Sequence, residues 1–103
     1  MGKVTQLRIY TVKPDGMDLL KDVWQRHVVP LRKRYGFQVE GAWASPTDNV
    51  FVWMVSLQNG EEWDKRNEEY YASPERLVFP PESAQLIESV QAQLLTEEVW
   101  RAD

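Results

Sequence analysis

The segment from Val50 to Leu57 constrains the fold of this 103-residue chain more than any other feature. Its sequence, VFVWMVSL, is apolar at nearly every position, and its β-branched and aromatic residues predict a strand. A strand that is apolar on both faces lies inside a sheet that is covered on both sides. A chain of this length has too few helices to cover both faces, so we expect a second copy to supply the other cover.

The segments before this strand give alternating strand and helix signals. Val4 to Val12 alternates along its length and predicts a strand. From Met17 the apolar residues recur at steps of three and four, which predicts a helix that ends at Gly36. Its buried stripe comprises Met17, Leu20, Trp24, Val28, Leu31 and Tyr35. A further predicted strand spans Phe37 to Ser45, with Phe37, Val39, Gly41 and Trp43 on one face.

The second half of the chain contains another helix and one ambiguous segment. Asn59-Gly60 begins the helix, and Ser73 caps a short turn with Pro74 at its first position. Ser83 to Leu95 suits a helix and a strand equally well, and periodicity leaves both open. If this segment is a strand, the order is βαββαβ, the ferredoxin-like α+β arrangement with an antiparallel sheet.

Pro30 interrupts the first predicted helix. It has no N–H to donate to the carbonyl of Arg26, and its ring clashes there, so the helix should kink beside His27. His27 is the only histidine of the chain. The kink leaves a free carbonyl next to it.

Composition excludes several classes of function. The chain has 12 Lys and Arg against 16 Asp and Glu, a net charge of −4, so a nucleic-acid partner is not expected. With no cysteine and one histidine, neither a disulfide framework nor a transition-metal site is expected. Nucleotide-binding loops and hydrolase elbows are missing, so we expect no cofactor. One stretch is basic, and we interpret it as a solvated helix face: Lys21, Arg26, Arg32, Lys33 and Arg34.

No apolar run is long enough to cross a membrane, and the N-terminus has no signal-peptide pattern. We therefore expect a cytoplasmic protein with no membrane partner.

Six short motifs, taken in order, resemble the NIPSNAP family. They are Gln6 to Pro14 (QLRIYTVKP), Trp24 to Pro30 (WxxHxxP), Tyr35 to Phe37 (YGF), Asn49 to Leu57 (NVFVWMVSL), Tyr71 to Glu75 (YASPE) and Leu86 to Ser89 (LIES). The resemblance implies a single domain over residues 1–103 and the dimeric α/β-barrel superfamily, in which two ferredoxin-like sheets close face to face. It also implies that Ser83 to Leu95 is the fourth strand. Phe51 stands where many relatives carry a histidine, which removes one candidate polar group.

The wider superfamily includes cofactor-free monooxygenases, polyketide cyclases, isomerases and haem-handling enzymes. A shared fold does not fix the chemistry, so function has to be argued from a site.

A candidate site follows from the first strand, where Gln6, Arg8 and Tyr10 share one face. We expect these three to form the floor of a cavity, in which Arg8 holds a carboxylate or enolate oxygen and Tyr10 donates to an oxyanion. We expect His27, above them, to move the proton as a general base. The predicted apolar wall, suited to an aromatic ligand, comprises Trp24, Trp53 and Tyr70.

Each candidate also has a structural interpretation. His27 can be a packed helix residue, Tyr10 a core aromatic, and Arg8 the partner of Glu40 on a neighbouring strand. Trp53 can belong to a dimer core. Two functions follow: a homodimer that binds a small apolar or aromatic carbonyl compound, with cofactor-free acid–base catalysis, or a non-enzymatic scaffold dimer without a ligand.

Overall fold

The computed structural model describes residues 2–79 and 85–98, which form one antiparallel sheet packed against helices. The strands are β1 (Val4–Val12), β2 (Gln38–Ser45), β3 (Val50–Leu57) and β4 (Ile87–Thr96). Their order across the sheet, β2-β3-β1-β4, is that of the ferredoxin-like fold, so the predicted α+β class is confirmed.

The ambiguous segment is a strand from Ile87 onward. β4 pairs antiparallel with β1 along its length, as the family resemblance implied. Ser83 and Ala84, the first residues of that segment, lie outside the described residues. β3 lies between β1 and β2, so its prediction as an interior strand is confirmed.

The first helical region has three parts, α1 (Met17–Val23), a π-helical turn (Trp24–Val28) and α2 (Val29–Arg34). At the end of the π turn the N–H of Val29 donates to the carbonyl of Trp24, five residues earlier. Pro30 lies at the start of α2, where its missing N–H favours this wider turn. The predicted irregularity beside His27 is therefore present, as a π turn.

Gly36 ends this region in a Schellman motif. Its φ is +91°, a conformation that favours glycine, and its N–H donates to the carbonyl of Lys33. The N–H of Phe37 donates to the carbonyl of Arg32 at 3.0 Å. This motif places the Phe37 ring against the Arg32 side chain, with 4.8 Å between the guanidinium carbon and the ring centroid.

The second helical region contains a 3₁₀ turn (Gly60–Glu62), α3 (Trp63–Ala72) and α4 (Pro74–Leu77). The predicted start of this region at Asn59-Gly60 and the predicted cap at Ser73 are confirmed. The side chain of Asn59 accepts from the N–H of Glu61, and the hydroxyl of Ser73 accepts from the N–H of Arg76. No helix in the described part of the chain is long and apolar enough to cross a membrane.

The two faces of the sheet have different surroundings. The face toward the helices holds the core, with Tyr10, Val12, Phe51, Trp53 and Val55 all buried. The other face, which we call the open face, has no helix of the described residues against it. Its central apolar side chains, from β1 to β3, are Leu7, Ile9, Trp43, Val52 and Met54.

A β-bulge at Glu40 corrects the predicted pattern of β2. Val39 is paired with Val55, but Gly41 is already paired with Met54, so Glu40 is the additional residue. Gly41 and Trp43 therefore lie on the open face, away from Val39. The prediction that these residues share one face with Val39 was wrong, because simple alternation does not allow for a bulge.

Candidate functional site

Three side chains of β1 form a hydrogen-bonded row beneath the helices, as expected from their shared face. The Nε of Arg8 donates to the hydroxyl of Tyr10 at 3.0 Å, and its Nη1 donates to the Oε1 of Gln6, also at 3.0 Å. Arg8 is partly buried. Its side chain is fixed in direction by its neighbours on both sides.

Arg8 does not pair with Glu40, the partner named in its structural interpretation. Glu40 lies at the bulge, where Lys3 donates to it at 2.6 Å and the hydroxyl of Ser56 donates to it at 2.6 Å. Thr5 is opposite Ser56, so this group lies on the open face, whereas Arg8 points toward the helices. The alternative in which Arg8 serves only a cross-strand ion pair with Glu40 was wrong.

The predicted aromatic residues lie close to this row, mostly as core. Trp24 meets Phe51 and Trp53 edge to face, with ring centroids at 5.4 and 5.7 Å. Trp53 is 1% exposed, and Tyr70 is 2% exposed. Trp53 is opposite Arg8 in the strand register, on the helix side, so its assignment to a dimer core was wrong.

Arg32 is a member of the site that the sequence analysis missed. It is 1% exposed, although the basic stretch that contains it was expected to be a solvated face. Its Nη1 donates to Asn67 at 2.9 Å and its Nη2 to the hydroxyl of Tyr71 at 3.4 Å. The guanidinium lies 3.9 Å from the ring centroid of Tyr70.

The π turn explains why Arg32 points inward. In a straight α-helix, Arg32 would lie about 120° around the axis from Leu20. The π turn adds one residue and removes about 100° of that rotation, which brings Arg32 close to the buried stripe. Pro30 was the available signal, because it predicted an irregular turn, but α-helical spacing alone assigned Arg32 to solvent.

The two arginines both lie close to the indole of Trp53. The guanidinium carbon of Arg8 is 5.8 Å from the ring of Trp53, and that of Arg32 is 5.9 Å from it. Among residues 2–79 and 85–98, no carboxylate lies within ion-pair distance of either one. The site therefore holds two cations amid neutral groups.

Burial and neighbours shift the pKa values of these groups. Burial lowers the pKa of Arg32, and the positive charge of Arg8 lowers it further. Burial also opposes the charge on Arg8, but Tyr10, Tyr71 and Tyr70 outweigh it and raise the pKa of Arg8. Burial raises the pKa of Tyr70 above its ordinary value. Arginine keeps its proton in all these cases.

Three buried N–H donors on and around Trp53 have no hydrogen-bond partner among the described residues. They are the Nε of Arg32 and the Nε1 atoms of Trp24 and Trp53. Buried polar groups are normally satisfied, so an unpartnered set that consists only of donors indicates a region short of acceptors.

The row is most exposed toward β4. On that strand Val90 pairs with Tyr10, Ala92 with Arg8 and Leu94 with Gln6, so all three lie on the same face as the row. Val90 and Leu94 are 49% and 50% exposed. Side chains on the β4 side of Arg8 are thus accessible from solvent, whereas Trp53 on its other side is buried.

His27 lies elsewhere. Its ring is 5.6 Å from that of Phe79, and it lines a surface hollow of about 250 Å³ with Arg26, Pro30, Leu31, Arg34, Glu75 and Val78. No hydrogen bond or ring contact within the described chain joins His27 to Arg8 or Tyr10. The role of His27 as a general base stays a prediction. The same part of the chain contains no group of three acidic or histidine side chains suited to a metal ion.

The family comparison agrees with the motifs. The NIPSNAP family model matches residues 5–100, which is most of the chain. The chain belongs to the NIPSNAP family. No protein with a curated description matches this NIPSNAP sequence.

Solved structures share the fold of this NIPSNAP chain. An uncharacterised NIPSNAP domain protein from Burkholderia xenovorans has a TM-score of 0.82 at 18% identity, covering 97% of this chain and 99% of its own. A NIPSNAP family protein from Agrobacterium tumefaciens has a TM-score of 0.85 at 14% identity, covering 97% and 90%. At these identities the likeness establishes the fold alone.

One similar structure is that of an enzyme. SnoaB from Streptomyces nogalater, a cofactor-independent oxygenase, has a TM-score of 0.72 at 16% identity, with full coverage of both chains. The NIPSNAP domain described here therefore shares its fold with at least one enzyme that works without a cofactor.

Proposed function

We propose that this NIPSNAP protein is a homodimer that binds a small molecule with an apolar or aromatic body and a carbonyl or carboxyl oxygen. The row of Gln6, Arg8 and Tyr10 carries the proposal. Its polar groups are held in place within an aromatic environment, as in ligand pockets that pair apolar walls with a few fixed polar groups.

The hydrogen bonds of the row leave donors for a ligand. Arg8 uses Nε and Nη1 within the row, and its Nη2 makes no hydrogen bond to the described residues. The Tyr10 oxygen accepts from Arg8, so its own proton is free to be donated. Arg8 and Tyr10 can thus donate together to one oxygen, the arrangement that stabilises an oxyanion.

Catalysis without a metal or organic cofactor is the enzymatic form of this proposal. The fold shared with SnoaB supports it. Arg8 and Tyr10 would stabilise an enolate, and His27 would move the proton. Because His27 lies beside Phe79, the substrate must extend from the row toward that hollow. We expect His27→Ala to abolish turnover of a substrate while leaving its binding unchanged.

A scaffold dimer without a ligand is the second candidate. Two observations favour it: Trp53 and Tyr70 fill the core instead of lining space, and Trp43 on the open face is 56% exposed. Both candidates share the dimer, so only ligand binding separates them.

Binding of aromatic carbonyl probes tests the proposal. Benzoate and benzamide share one ring and differ in charge, and each is titrated into the protein by ligand-observed NMR and calorimetry. We expect at least one to bind with a dissociation constant on the order of 1 mM, as is usual for a ligand of this size. Arg8→Gln should weaken that binding about tenfold, because it removes the donors to the oxygen.

Lys13→Gln is the matched control, since Lys13 is an exposed cation just beyond the end of β1. It should leave binding unchanged. If neither probe binds the wild-type protein, or if Arg8→Gln and Lys13→Gln bind equally well, the small-molecule proposal fails and the scaffold candidate is favoured.

A further inference from the structure

We propose that the molecule bound beside Arg8 is an anion, an aromatic or apolar carboxylate or a comparable oxyanion, and that buried Arg32 selects for its negative charge. This inference rests on the proposed small-molecule site and names the class of its ligand. Arg32 is a positioning and selecting residue here, because it acts from α2, on the helix side of the sheet.

The charges of the site favour an anionic ligand. Arg8 and Arg32 are both cationic, and no carboxylate in the described ranges, 2–79 and 85–98, forms an ion pair with either of them. Exposed arginines of the chain do have such partners, since Arg34 pairs with Glu75 at 2.7 Å and Arg26 with Asp22 at 2.8 Å. Surface Arg26 and Arg34 thus have a counter-ion, whereas the two arginines of the site have none within the described ranges.

The positions of the two arginines also favour an anionic ligand. Both guanidinium groups lie within 6 Å of the Trp53 ring centre. Like charges so placed destabilise each other, and the charge of Arg8 lowers the pKa of Arg32. A bound anion beside Arg8 would attract both cations and relieve their repulsion.

The unpartnered buried N–H groups favour a ligand that accepts hydrogen bonds. Arg32 is 1% exposed and its Nε has no acceptor among the described residues, nor do the indole nitrogens of Trp24 and Trp53. All three are donors. A ligand that supplies oxygen acceptors, as a carboxylate does, complements such a site, whereas a cation or a donor-rich ligand does not.

Arg32 also has enough support to stay buried before a ligand binds. Its guanidinium is 3.9 Å from the ring centroid of Tyr70 and 4.8 Å from that of Phe37, and Asn67 accepts from it. These neutral partners hold the cation without cancelling its charge. Its positive field therefore remains available to the ligand.

Comparison of benzoate with benzamide in the wild-type protein is the primary test and needs no variant. At neutral pH benzoate is an anion and benzamide is its neutral counterpart of nearly equal shape. We expect benzoate to bind at least about tenfold more tightly, and its affinity to fall as salt is added.

Arg32 variants identify the origin of the preference. Arg32→Gln should reduce benzoate affinity about fivefold or more and change benzamide affinity less than about twofold, whereas Arg32→Lys should keep most of the preference. Lys33→Gln removes one exposed charge from the same helix and should change neither affinity. Circular dichroism establishes which variants are folded.

The outcomes separate this inference from the proposal on which it rests. If benzamide binds as tightly as benzoate and Arg8→Gln weakens both, the small-molecule site stands and the anionic ligand is refuted. If benzoate is preferred equally in the wild type and in folded Arg32→Gln, the selecting role of Arg32 is refuted. Absence of binding by both probes overturns the site and the inference together.

Discussion

In the middle of β1, the helix-covered face of the sheet carries polar and charged groups, whereas the open face carries aliphatic side chains. On β1 alone, Gln6, Arg8 and Tyr10 lie under the helices, and Leu7 and Ile9 point the other way. Buried polar groups are costly unless they are bonded, and exposed apolar patches mark contact surfaces. The difference supports the two proposals made above, a polar ligand on one face and a second protein surface on the other.

A lysine on the open face should have the largest effect. We expect Val52→Lys to weaken the proposed dimer about 100-fold or more, because two lysines would be buried in the interface without partners. Val52 lies opposite Ile9 at the centre of this face. Size-exclusion chromatography with light scattering measures the change as a shift to monomer or to aggregate.

Gln58→Lys is the control for that experiment, since Gln58 is exposed just after β3. It should leave the dimer intact. A Val52→Lys protein that remains a fully stable dimer would show that the open face is not the interface.

Two tryptophans on opposite faces give the second prediction. Trp53→Ala should reduce the free energy of unfolding by about 3–5 kcal/mol, because it removes a buried side chain and leaves a cavity in the core. Trp43→Ala should cost less than about 1 kcal/mol, since Trp43 is 56% exposed. Urea denaturation in the Val52→Lys background measures both without a contribution from assembly.

If Trp43→Ala is as destabilising as Trp53→Ala in that background, the open face already contributes to the core of the isolated chain. The contrast between the two faces would then be one of degree only.

Acid titration gives the smallest effect and concerns the open face. Hydrogen bonds from Lys3 and Ser56 lower the pKa of Glu40 below its ordinary value of 4.5. A lowered pKa in the folded state contributes stability above pH 4.5, and this contribution is lost as the pH falls through the folded-state pKa. The midpoint temperature of thermal unfolding, measured from neutral to acidic pH, should therefore fall more steeply in the wild type than in Glu40→Gln.

Glu69→Gln, on an exposed position of α3, should leave the acid decline as in the wild type. Equal declines in the wild type and in Glu40→Gln would mean that the Lys3 and Ser56 bonds contribute nothing to folding.

The sequence predicted the fold well because its signals are local. Alternation placed β1, the apolar run placed β3, and Gly36 and Ser73 ended and began helices as expected. The fourth strand needed the family resemblance, because a segment with apolar residues at both spacings has no single period.

The site was predicted in part, and the missing part depends on helix geometry. Gln6, Arg8 and Tyr10 follow from strand alternation, which fixes their common face. The inward position of Arg32 and the faces of β2 after Glu40 each depend on one additional residue in a regular element. That residue changes the direction in which every later side chain of the element points. Periodicity assumes that no such residue exists, so it placed Arg32 and Trp43 on the wrong sides.

The number of residues in the π turn at Trp24–Val28 determines which cation of α2 points into the core. A deletion of one residue that converted this turn to α-helix would keep the facing of α2 relative to α1. A regular turn with the same number of residues would instead rotate α2 by about 100° and turn Arg32 toward solvent. A relative that has a regular α-helical turn here, with the same number of residues, would thus lose the buried charge without any substitution at the site itself.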